Sequence, residues 1–98
     1  MEHGEFSGRY SFFVRSLWVS GIAVPTHGGD LVVVVRQSGE FDWELVYTSS
    51  RVWQVTPSVY DLDMHGPEGE FTGSAVLVRS DGRSHVFRGS GALSGIPQ

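Results

Sequence analysis

Hydrophobic and polar residues alternate along two segments of the chain, and this alternation predicts β-strands. Residues 41–47 place an apolar side chain at every second position, with Asp42 and Glu44 between them. Residues 59–65 repeat the pattern, with aspartates and a histidine at the polar positions. Because residues two apart in a strand lie on the same face, each segment predicts a strand with one buried face and one face in water.

Two further segments are too apolar to alternate in this way. Residues 31–35 read Leu-Val-Val-Val-Val, which predicts a central strand that is covered on both faces. Residues 10–19 form a long segment that is rich in aromatic side chains, which is consistent with a strand that bends. We therefore expect at least one strand with no face in water.

The dipeptide Asp81-Gly82 lies between two apolar runs and predicts a β-hairpin. Asp-Gly suits a two-residue type I′ turn, since this turn needs a positive φ at both central positions. Such a turn would place Val78 opposite His85. In that register both faces of the hairpin are partly apolar, so it needs cover on two sides, from a barrel, a sandwich or a dimer partner.

Clusters of Gly, Pro and polar residues separate the apolar segments, and such clusters are typical of turns. They lie at residues 25–30, 37–39, 56–58 and 65–69. Their spacing predicts a single all-β domain over residues 1–98, built as an antiparallel barrel or sandwich of about six to eight short strands with little or no helix. Residues 92–98 are expected to form a loose C-terminal tail.

The length of the chain limits what the domain can be. A domain of 98 residues buries about two-thirds of its unfolded surface, which allows one modest core and excludes the large two-domain and barrel enzyme folds. The chain has no cysteine, which excludes disulfides and thiolate sites. All seven basic residues are arginine. This composition indicates the high-GC genome of a bacterium or phage or, alternatively, selection for arginine at a phosphate or carboxylate site.

Charge is concentrated in the middle of the chain. Residues 37–70 carry seven acidic residues and one arginine, a net charge of −6. Nucleic-acid phosphates repel such a segment, so we expect no nucleic-acid partner, whereas a basic protein surface remains compatible. We also expect no signal peptide and no membrane partner, since no apolar run approaches the roughly 20 residues of a membrane span. Together with the missing cysteines, this favours a cytoplasmic protein.

Asp61, Asp63 and His65 fall on one face of a predicted strand and are the candidate metal ligands. Two carboxylates and an imidazole on one face suit a divalent metal ion or acid–base chemistry. The alternative is an ordinary solvated strand face that runs into a loop. Residues 89–95 narrowly miss the dinucleotide-binding pattern of glycines, and no helix follows them, so we predict no cofactor.

Aromatic residues are numerous for a chain of this size. Most of them must form the core, but an aromatic-lined cavity for an apolar ligand and a patch buried by homodimerisation are both open alternatives. We interpret His85 as a packing residue that no other group orients. The candidate residues for binding a ligand or a partner are Trp18, Trp43, Trp53, Tyr47, Tyr60 and His85.

Three classes of function fit these observations. The favoured one is a small non-enzymatic interaction module that engages a protein partner and self-associates, with no catalytic residue assigned. The second is a small β-barrel that binds an apolar metabolite and acts on it as a cyclase or isomerase. The third is a structural subunit of a larger assembly. Each predicts a different surface: an exposed aromatic and acidic patch, an enclosed pocket, or a large symmetric interface.

Overall fold

The computed structural model describes residues 6–24 and 26–95, and these residues form eight antiparallel strands in one sheet. This confirms the predicted all-β domain, and the described residues contain no helix, hence none that could cross a membrane. In chain order the strands are β1 (Phe6–Val14), β2 (Ser16–Val19), β3 (Ile22–Ala23), β4 (Thr26–Arg36), β5 (Phe41–Ser49), β6 (Val59–Gly66), β7 (Gly69–Ser80) and β8 (Ser84–Ser94).

The sheet curls around one core, although the strand pairing among the described residues does not close it into a barrel. The strand order is β1-β4-β5-β8-β7-β6-β2-β3. Only Arg15 separates β1, at one edge, from β2, near the other edge, and its N–H donates to the carbonyl of His65 at 2.7 Å. Val14 and Leu17 are both buried, so the inward–outward alternation changes phase at this bend. The bend expected within residues 10–19 therefore lies at Arg15.

A single hydrophobic core lies on the inner face of the sheet. Alternate residues of the strands enter it, for example Trp43, Leu45 and Tyr47 from β5. The indole ring of Trp43 lies directly against Gly73 and Gly89, where a Cβ atom would approach it to 2.7 and 2.3 Å respectively. Glycine at these two positions is therefore needed for Trp43 to pack inside the sheet.

The outer face of β4 differs from the prediction made for residues 31–35. Leu31 and Val33 are fully buried, but the outward-facing Val32 and Val34 are only half-buried. No described layer packs over this face within one copy of the chain. The apolar run is thus covered on one side, and the outer face of the sheet carries valines that remain partly in contact with water.

The β7–β8 hairpin forms in a different register from the one predicted. Ser80, not Val78, lies opposite His85. The Asp81 carboxylate accepts hydrogen bonds from the N–H groups of Ser84 at 2.7 Å and Arg83 at 2.9 Å, and these bonds lower its pKa. Only Gly82 in this turn has a positive φ, of 97°, whereas a type I′ turn needs two. The side chain of Asp81 therefore moves the turn one residue along the chain.

The end of β8 also corrects an expectation. Residues 92–94, assigned to a loose tail, belong to the strand, with Leu93 opposite Gly73 and Ser94 opposite Thr72. The side chain of Leu93 is buried in the core, which holds this part of the chain against β7. Residues 96–98 of the predicted tail lie outside the described residues.

Candidate functional site

A groove on the outer surface gathers four of the nine residues predicted as site residues: Trp18, Asp61, Asp63 and His65. It crosses β2, β6 and β7, reaches the end of β8, and has a volume of about 670 Å³. We call it the Trp18 groove. It is open to solvent along its length, so it suits an extended or protruding ligand better than an enclosed small molecule.

The pairing of three neighbouring strands positions the groove residues. Trp18 of β2 lies opposite Asp63 of β6, which in turn lies opposite Thr72 of β7. In the next row Asp61 lies opposite Ser74. Because paired residues project from the same face of a sheet, the aromatic ring, the carboxylates and the hydroxyls line one surface.

The contacts inside the groove fix the orientation of its side chains. The imidazole of His65 packs against the indole of Trp18 in a tilted arrangement, at a centroid distance of 4.6 Å and an interplanar angle of 49°. Its Nε2–H donates to Asp63 Oδ1 at 3.0 Å, and a Glu70 carboxylate oxygen lies 4.0 Å from the same nitrogen. These contacts hold an indole face and acidic oxygens side by side.

The groove has a negative electrostatic character. Asp61 and Asp63 line it, and no arginine is among its described lining residues. Ser74 donates a hydrogen bond of 2.8 Å to one oxygen of Asp61, which leaves the carboxylate charge in place. An indole face beside carboxylates attracts cations, since both the ring quadrupole and the carboxylate charge favour positive groups.

The three predicted metal ligands are only partly brought together. Asp63 and His65 form a hydrogen-bonded pair, whereas Asp61 is bonded to Ser74. Across residues 6–24 and 26–95, no set of three or more His, Asp or Glu side chains is arranged to hold a metal ion. In this structure the Asp63–His65 pair is thus a hydrogen-bonded pair of the groove wall.

His85 lies in a second polar cluster, inside the domain. It is 0% exposed, and Ser49 beside it is 2% exposed. Its Nδ1 accepts from the Ser80 hydroxyl at 2.8 Å, and its Nε2 lies 3.1 Å from Ser49 Oγ. The sequence showed no group to orient this ring. The shifted hairpin register corrects that view, because it places Ser80 opposite His85.

The direction of the hydrogen bonds gives this cluster a structural role. The Ser49 hydroxyl donates its one proton to the carbonyl of Arg51 at 2.6 Å. In the contact between Ser49 Oγ and His85 Nε2, the donor must therefore be Nε2–H of His85. Burial lowers the pKa of His85 below its ordinary value, against an opposing effect of the Asp81 charge. His85 is therefore a neutral, fully bonded group and not a base that activates Ser49.

The cluster also anchors the segment between β5 and β6. The ring of Trp53 packs edge-on against His85 at 4.9 Å, and the backbone N–H of Trp53 donates to the carbonyl of Gly82 at 2.7 Å. The N–H of Ser49 donates to the carbonyl of Arg83 at 2.8 Å. Trp53 and His85 thus tie this segment to the β7–β8 turn.

The other predicted aromatic residues are placed away from the groove. Trp43 and Tyr47 are buried in the core. Tyr60 is half-buried, with its hydroxyl bonded to the carbonyl of Thr56 at 2.5 Å and its ring edge-on to Phe87. Trp18 is thus the only predicted aromatic residue in the groove.

Sequence reasoning missed the contribution of β7 to the groove. Thr72 and Ser74 lie two residues apart on its outer face, and Ser94 of β8 joins them. The alternation of polar residues at 72 and 74 was a usable signal for a wet face. What it could not show was which strand this face adjoins.

Comparisons with protein-family models, with curated proteins and with solved structures give no match to this chain.

Proposed function

We propose that the protein is a non-enzymatic binding module whose Trp18 groove holds a cationic side chain, arginine above all, displayed by a protein partner. The observation that carries this proposal is the row formed by Trp18, Asp63 and Thr72, in which an indole face adjoins a carboxylate. No arginine is among the described residues that line the groove. The acidic middle of the chain supplies the field that would attract such a partner.

Guanidinium chemistry fits this surface well. A planar guanidinium group stacks on an aromatic ring and donates in-plane hydrogen bonds to carboxylates, and it is more weakly hydrated than an ammonium group. Trp18 would supply the stacking surface, and Asp61 and Asp63 the acceptors. Since a cation–π contact at an exposed site contributes only about 0.5–1 kcal/mol, one arginine gives weak binding and a partner would present several contacts.

The apolar-metabolite alternative has less support. The interior is filled by fully buried side chains such as Phe71 and Phe87, and the groove is open to solvent, with carboxylates and hydroxyls beside its apolar surface. A cytoplasmic setting, based on a chain without cysteine, remains part of the proposal.

Isothermal titration calorimetry with matched peptides tests the proposal. One peptide carries two arginines in a glycine–serine background, and the control carries citrulline, which keeps the shape of arginine without its charge. We expect saturable binding of the arginine peptide, weakened by salt, and no measurable binding of the citrulline peptide. Equal binding of both peptides, or of neither, would overturn the proposal.

Substitutions locate the binding on the protein. Trp18→Leu should weaken binding by about two- to fivefold, the effect of losing an exposed cation–π contact. Asp63→Asn should weaken it by about tenfold, the effect of losing a charge-assisted contact. Glu40→Gln removes an exposed acid from the β4–β5 turn, outside the groove, and should change affinity by less than about twofold. An equal loss in all three variants would show that net charge alone attracts the peptide.

A further inference from the structure

The outer face of the four strands β4, β5, β8 and β7 carries a pattern independent of the groove. One row of paired residues crosses these strands as Asp30, Val46, Val86 and Arg79. It begins with an acid, ends with a base and has two valines at its centre.

The next row crosses the same strands as Val32, Glu44, Arg88 and Val76. Here the charged residues are central and the valines lie outside. In both rows the acid belongs to β4 or β5 and the base to β7 or β8. We call these eight positions the valine face.

Each row matches a second copy of itself placed in reverse order. Every acid then lies opposite a base, and every valine lies opposite a valine. A two-fold axis parallel to the strands, along the boundary between β5 and β8, turns β5 of one copy over β8 of the other and β4 over β7. Asp30 then meets Arg79, and Glu44 meets Arg88, each from the opposite copy. Val46 meets Val86 in the same way. Self-complementarity of this kind is what a two-fold homodimer interface requires.

We propose that the valine face is the interface of a homodimer, with a second copy of this chain as its occupant. Charge complementarity selects this occupant, because both charge pairs and both pairs of valines are matched under one symmetry operation. Sheets that pack face to face keep their strands within about 30° of each other, which agrees with an axis parallel to the strands.

Seven of the eight side chains of this face are accessible to a second copy. Val46 is 38% exposed, and Val78 beside the first row is 46% exposed, whereas Val86 is only 8% exposed and presents a small part of its side chain to the contact. Glu44 and Arg88 lie 3.6 Å apart within one copy, and both side chains remain in contact with water. A second copy would also cover Val32, one of the two half-buried outward-facing valines of β4.

A charge-reversal experiment tests the proposed dimer. Glu44→Arg gives one copy two central arginines, and Arg88→Glu gives it two central acids, so each variant alone places like charges opposite each other across the interface. A 1:1 mixture restores opposite charges at both contacts. Sedimentation velocity should show a dimer for the unaltered chain, a dimer dissociation constant raised at least about 100-fold for each variant alone, and a dimer for the mixture.

The controls separate this result from misfolding and from general charge effects. Circular dichroism and the melting temperature should show that both variants are folded. Glu40→Arg makes the same change of charge outside the valine face and should leave the dimer intact. A monomer for the unaltered chain, dimers for the single variants, or a mixture that stays monomeric would each overturn the proposal.

Discussion

His65 and His85 use the same side chain in opposite ways. His85 is fully buried, and both of its ring nitrogens have serine partners. The side chain of His65 is 35% exposed in the Trp18 groove, where it contacts an indole ring and a carboxylate. A buried polar group must be satisfied within the fold, whereas a partly exposed one can also serve a ligand. The comparison gives the first histidine a structural role in the fold and places the second in the wall of the groove to which the proposed binding is assigned.

The variants with the largest expected effect on stability are those that remove each histidine in turn. His85→Ala leaves Ser49 and Ser80 without their buried partner and opens a cavity, so we expect it to lower the free energy of unfolding by about 2–4 kcal/mol. His65→Ala, at a partly exposed position, should cost less than about 1 kcal/mol. Urea denaturation measures both. Equal losses would remove the distinction between the two sites.

The second test is the effect of pH on stability. Burial lowers the pKa of folded His85 below its ordinary value of 6.5, so the unfolded chain binds a proton more readily. The stabilising contribution of neutral His85 is therefore complete above pH 6.5 and is lost as pH falls from 6.5 towards the lowered value. One proton changes the free energy of unfolding by at most about 1.4 kcal/mol per pH unit.

Urea denaturation between pH 7.5 and 5.5 measures this slope. His85→Gln should reduce this slope, because glutamine does not titrate. A slope that persists unchanged in His85→Gln would contradict the assignment of this pH dependence to His85.

The smallest expected effect on stability is the difference between two serine variants. Ser80→Ala removes the hydroxyl that donates to buried His85, and we expect a loss of about 1 kcal/mol. Ser74→Ala removes the hydroxyl that donates to exposed Asp61 and should change stability by no more than about 0.5 kcal/mol. Thermal unfolding of the two variants side by side gives the difference. A larger loss for Ser74→Ala would reverse the comparison.

The sequence predicted which segments form strands better than it predicted how these strands pair with one another. Alternation in residues 41–47 correctly placed Asp42 and Glu44 outside, and the same rule places Trp43 and Tyr47 in the core, where they cannot form a surface site. The hairpin register could not be read from Asp-Gly alone, because the Asp81 carboxylate accepts two backbone hydrogen bonds and moves the turn.

The groove itself depends on long-range pairing. Trp18 and Asp63 become neighbours only because β2 pairs with β6, which follows from the bend at Arg15. No local pattern encodes that contact, although the carboxylates and the histidine of β6 were already visible as one wet face. The valine face shows the same limit, since its matched rows depend on the register of three strand pairs.

Nuclear magnetic resonance of the two histidine rings and the Trp18 indole during a titration with the arginine peptide tests the central claim most directly. We predict saturable shifts of the His65 and Trp18 signals, no shift of the His85 signals, and no response to the citrulline peptide. If His65 and Trp18 remain unchanged while the peptide binds elsewhere, or if citrulline gives the same shifts, the Trp18 groove is not a site for cationic side chains.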